Sequence, residues 1–170
     1  MKEEVLIEEP SGPCHGFWLL REEECPYHEI RRCYGRTDTP IRIPYNILDY
    51  FSDSLLWVPV VVPDTRGRRP PTRRQGLYFY GPNIINQEGE RGFSEICARW
   101  ADLFTLGPDP LILTTSGLIY HAPSGEGDSL RYQSRRMRID RERLVGVLRL
   151  LSEWGVQAES GEQYILHIGI

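Results

Sequence analysis

Apolar residues recur along this chain with two periods, and the places where the period changes divide it into short elements. Phe93, Ile96, Cys97, Trp100 and Phe104 share one helical face, which predicts a buried-stripe helix over 92–106 ended by Gly107 and Pro108. Leu144, Val147, Leu148, Leu151 and Trp154 form a second stripe. It predicts a helix capped by Asp140 and stopped at Gly155, where a C-terminal glycine belongs. Ile47, Leu48, Phe51 and Leu55 follow Pro44 at helical spacing and predict a short helix over 45–52.

Between these stripes the pattern is that of strands. Residues 5–9, 16–24, 57–62, 76–80, 130–139 and 164–170 read as strands. Cys25, Pro26 and Tyr27 read as a turn, because proline cannot continue a central strand. Residues 28–34 then read as the return strand of a hairpin. Pro59 suggests that 57–62 is an edge strand or carries a bulge. Residues 111–115 and 117–121 read as a hairpin turning at Thr115, Ser116 and Gly117, or as one bent strand. Loops are expected at 35–40, 63–75 and 122–129. Strands and helices do not alternate as βαβ units. The expected fold is α+β: a mainly antiparallel sheet with about three helices packed on one face, in one domain over 1–170.

Composition narrows the classes. Hydrophobic residues make up 40% and charged residues 26% of the 170 positions, which suits a globular core and not a disordered chain. No apolar run approaches the ~18 residues of a membrane span. The acidic start lacks the pattern of a signal peptide, so a cytoplasmic protein without membrane contact is expected. In a reducing compartment the four cysteines read as thiols or ligands, not as a disulfide framework. A net charge of −4 disfavours nucleic acid as a partner. Lys2 is the only lysine beside 19 arginines, a bias that fits either genome composition or an arginine-based interface.

Candidate chemistry begins with Cys14, Cys25, His28 and Cys33. Three sulfurs and a nitrogen make an acceptable tetrahedral zinc set, and a zinc-stabilised module contacting nucleic acid or protein is one reading of the chain. Only Cys25 and His28 form a tight pair, however, and a domain of this size folds without metal. The other reading is buried thiols and surface histidines, with no cofactor. Cys97 belongs to the core by its place on a helical stripe. No G-x-S-x-G, H-E-x-x-H, P-loop or G-x-G-x-x-G is present, so no catalytic residue is assigned and a non-enzymatic protein is expected. An enzyme with an unrecognised site is the remaining alternative.

Surface recognition is the remaining pattern. The chain has four tryptophans and nine tyrosines, and aromatics with arginines anchor protein interfaces. Candidate partner-binding residues are the acidic run Glu22, Glu23 and Glu24 and the loop arginines Arg66, Arg68, Arg69, Arg73 and Arg74. The run from Gly76 to Asn86, the helix end from Trp100 to Phe104 and the strand at 111–114 resemble bacterial immunity proteins of polymorphic-toxin and contact-dependent inhibition systems. That resemblance implies a single cytosolic domain without catalysis of its own. It would bind a cognate toxin domain and occlude the active site.

Overall fold

The structure, a computed structural model, describes residues 4–5, 13–30, 40–64, 66, 68–120 and 130–169; of 4–5, 28, 115–120 and 130–135 it describes the backbone alone. In chain order the elements are β1 (Glu4–Val5), β2 (Cys14–Arg21), a 3-10 turn (Tyr27–Glu29), β3 (Ile41–Pro44), α1 (Tyr45–Tyr50), α2 (Ser52–Leu55), β4 (Pro59–Val62), β5 (Thr72–Gln75), β6 (Pro82–Ile85), α3 (Glu90–Thr105), β7 (Leu111–Tyr120), β8 (Leu130–Ile139), α4 (Arg141–Ala158) and β9 (Gln163–Ile168).

The fold is α+β. Six strands form an antiparallel sheet in the order β3-β2-β9-β6-β4-β5. A second sheet, β1-β8-β7, pairs β7 with β8 antiparallel and adds β1 parallel to β8. One apolar cluster joins both sheets to the helices. It takes in Phe17, Ile85 and Ile165 from the large sheet, Phe93 and Phe104 from α3, Leu148 and Leu151 from α4, and Leu113 and Met137 from the small sheet. Strand alternation sends the other side chains to the opposite face. There Leu20, Val61, Ile84, Tyr164 and Leu166 make a smaller cluster with Cys25 and Ile30.

Asp140 caps α4 as expected, its carboxylate accepting from the Arg143 N–H at 2.9 Å. The helix does not stop at Gly155 but runs on to Ala158. Gly155 lies where α3 passes closest: a Cβ there would sit 2.7 Å from Ser94 Cβ. The glycine serves helix contact, not helix termination.

Several strand expectations change. Of the two readings of 111–121, the single strand holds over 111–120 and the hairpin does not. Strand β2 ends at Arg21, and its neighbours are β3 and β9. Residues 27–29 form a 3-10 turn in place of the expected return strand, the remainder of which (31–34) lies outside the described residues. Pro59 opens β4, which lies between β5 and β6 and not at an edge. A first position tolerates proline because no ladder donor is needed there. The expected loop 63–75 contains β5, which is one of the two edge strands of the large sheet. The expected strand 76–80 makes no ladder, although its alternation survives.

Cys14 and Cys97 are free thiols, but Cys25 is disulfide-bonded. The sulfur of Cys25 is therefore not a thiolate donor, and the four-ligand set Cys14, Cys25, His28 and Cys33 loses a member. With Cys25 oxidised, cysteine usage no longer speaks for a reducing compartment. Among the described residues no helix is long and apolar enough to cross a membrane.

Candidate functional site

Strands β2, β9 and β6 carry three polar side chains into the otherwise apolar face beneath the helices. His167 pairs across the ladder with Phe17 on one side and Asn83 on the other. His15 precedes Phe17 by two residues and so shares its face. All three polar residues are fully buried, and each must find partners inside the protein.

One unambiguous donor fixes the whole chain of bonds. The Tyr78 backbone N–H donates to Asn83 Oδ1 at 3.1 Å, which orients the amide. Asn83 Nδ2 then donates to the Tyr78 carbonyl at 2.6 Å and to His167 Nδ1 at 3.0 Å. His167 Nδ1 is thus an acceptor, its proton sits on Nε2, and Nε2 donates to His15 Nδ1 at 2.9 Å. His15 in turn carries its proton on Nε2, and that buried N–H has no hydrogen-bond partner. The two rings lie edge to edge, 12° from coplanar with centroids 5.1 Å apart, as an in-plane N–H···N bond requires. Burial pushes His15 down to about 4. Burial, and then the nearby His15, push His167 down to about 3. Both imidazoles are neutral at physiological pH.

His15 of this pair packs behind two residues that line an open aromatic cleft. The Phe79 ring stands at 83° to the His15 ring, 4.8 Å between centroids. Tyr45, the first residue of α1, lies nearly parallel to His15 at 5.8 Å. Asn83 holds Tyr78 by both main-chain groups, as a neighbouring strand would. Alternation therefore persists through 77–80: Leu77 and Phe79 turn inward, Tyr78 and Tyr80 outward. Gly169 lets this segment lie against the end of β9, since a Cβ there would overlap the Phe79 carbonyl.

The cleft has a volume of about 330 Å³. Residues 77–80 form one wall; Tyr45, Asp49 and Ser52 of the short helices form the other, with Leu56 beyond them. Tyr78 and Tyr80 meet edge to face at 5.8 Å. Burial raises the Tyr45 phenol, and the Asp49 carboxylate and Tyr80 add to the rise, so these three groups converge. Asp49 is the one charged residue in the lining.

No family model matches this chain, and no curated protein or solved structure matches it either.

The residues expected to bind a partner lie elsewhere. Glu22, Glu23 and Glu24 occupy an exposed turn beyond Arg21, and Glu23 faces Arg21 at 3.6 Å. Arg66, Arg68 and Arg69 are folded into a turn by Asp64, whose carboxylate accepts their backbone N–H groups at 3.0, 2.7 and 2.7 Å. Arg73 and Arg74 belong to β5, and Arg73 pairs with Glu88 at 2.6 Å. Trp18, Leu166, Ile84 and Val61 are level across the large sheet. The acidic turn extends past one end of its strands and the Asp64 turn past the other, so the two charged patches are not brought together. Among the described residues no three His, Cys, Asp or Glu side chains could hold a metal ion.

Proposed function

We propose that this protein is a non-enzymatic binding protein of the immunity kind, which docks a toxin domain through the aromatic cleft and occludes its active site. The observation that carries the reading is a group of exposed aromatic and leucine side chains at and beside the cleft. Leu56, Tyr78 and Tyr80 line the cleft at 53, 52 and 59% exposure, and Trp57, next in the chain to Leu56, is 70% exposed. Large aromatics left open to water beside a concave surface are characteristic of interface anchors. The imidazoles beneath are sealed and neutral, so they support the cleft and take no part in proton transfer within it. The resemblance to immunity proteins supplies the biological role, and the run from Gly76 to Asn86 that carries it includes one cleft wall.

Co-expression with the polypeptides encoded beside this chain tests the reading, with growth and co-elution on gel filtration as readouts. One neighbour is expected to be toxic alone, tolerated with this protein and co-eluted with it. The folded double variant Tyr78→Ser/Tyr80→Ser is expected to weaken the complex at least about tenfold, as loss of interface anchors does. Full neutralisation by that variant would move the interface off the cleft, and the lack of any neighbour that binds would overturn the proposal.

A further inference from the structure

The cleft has a composition that selects one chemistry. Its lining is mostly aromatic and aliphatic with one serine, Ser52; its single charge is the Asp49 carboxylate, and no arginine or lysine lines it. Asp49 is exposed and makes no ion pair among the described residues. A neutral apolar side chain would satisfy the rings and leave the carboxylate unused. An anion would meet Asp49 and the electron-rich ring faces, both repulsive. A cation gains from both, because the ring quadrupole and the carboxylate have the same sign. A volume of about 330 Å³ is at the small end of the roughly 300–1,000 Å³ of ligand pockets, room for one long side chain.

We infer that the cleft takes an arginine side chain of the partner protein, its guanidinium against the Tyr78 and Tyr80 rings and forked onto the Asp49 carboxylate. Arginine fits better than lysine on two counts. Its planar head stacks on aromatic faces, and its paired N–H groups match both oxygens of a carboxylate. The main chain that carries the two tyrosines is already held, since Asn83 fixes Tyr78 and Phe79 is anchored on His15. Little ordering is then left to do on binding. The inference rests on reading the cleft as the docking face, but its test does not need the partner.

The probe is Nα-acetyl-arginine methylamide, titrated into the full chain and followed by NMR at the tyrosine rings. The neutral isostere, the citrulline analogue, is the control. Expected are saturable shifts at Tyr45, Tyr78 and Tyr80 and upfield displacement of the arginine δ-methylene protons by the rings. Affinity for citrulline should be at least about tenfold lower, and Asp49→Asn should lower the arginine affinity by a similar factor. Tyr80→Leu should abolish the upfield displacement. Equal binding of arginine and citrulline, unaltered binding by a folded Asp49→Asn protein, or shifts confined to residues 22–24 would each overturn the inference. A lysine analogue that binds as tightly would remove the choice of guanidinium. Failure of a neighbouring polypeptide to bind would overturn the immunity role while leaving these shifts in place.

Discussion

The α3–α4 pair and residues 76–80 pack on the same face of the large sheet, but the bonds that fix them there differ. Apolar contact along both helices holds the pair, with Gly155 set against Ser94 at the closest approach. The segment buries Leu77 and Phe79 in the same cluster and is fixed by directed bonds: Asn83 takes both main-chain groups of Tyr78, and the Gly76 and Leu77 N–H groups donate to the Val58 and Leu55 carbonyls. Distributed burial loses stability in proportion to what is removed. A bond network that fixes tautomers in series loses its order when one member changes. The exposed aromatics belong to the second region, so the surface read as functional stands on the more fragile support.

The sharpest way to break this contrast is to damage the helix side. Phe93 is buried in the main cluster, and Phe93→Ala is expected to lower global stability by about 3–5 kcal/mol in a denaturant titration. Hydrogen exchange should show all elements weakened together; a loss confined to 76–83 would reverse the comparison.

Acid comes next. Below pH 6.5 the unfolded histidines take up protons while the folded ones stay neutral until about 4 and about 3. The unfolded state then binds more protons, so stability is full above 6.5 and falls as pH falls. The slope is ~1.4 kcal/mol per pH unit for each group, hence roughly 3 kcal/mol by pH 4 from the first proton alone. His15→Phe should flatten this limb of a pH-resolved stability curve, and an unchanged limb would assign it to carboxylates instead.

Asn83→Leu removes the orienting amide. A cost of about 1–3 kcal/mol is expected, with loss of amide protection across 76–83 and little change in α3. The smallest effect belongs to Asp140→Ala, about 1 kcal/mol through the lost cap, with the tyrosine ring signals of the cleft unmoved. Movement of those signals would show that the two regions are coupled.

The helix pair was legible because a stripe at helical spacing is a local property of consecutive residues. Its end was misplaced because glycine stops a helix or lets another pass close, and only the neighbour at Ser94 decides which. Strand β5 was illegible for a different reason. Thr72, Arg73, Arg74 and Gln75 are exposed on both faces, so no alternation of apolar and polar residues marks the strand. Residues 76–80 showed real alternation, but the main-chain partner is a side-chain amide and not a strand. Little of the cleft could be read. The surplus of aromatics is visible, whereas Asp49 looks like any helical carboxylate. His15 and His167 are 152 positions apart, and nothing local joins them.

Strand β9 lies in the middle of the large sheet, between β2 and β6, although it is the last of the described strands to be synthesised. Until it arrives, β2 with β3 and β6 with β4 and β5 are two half-sheets, each with an unpaired inner edge. A nascent chain therefore carries two adhesive seams, and the segment that closes them also delivers His167. A chain arrested before residue 163 would lack both the strand that joins β2 to β6 and the partner of His15.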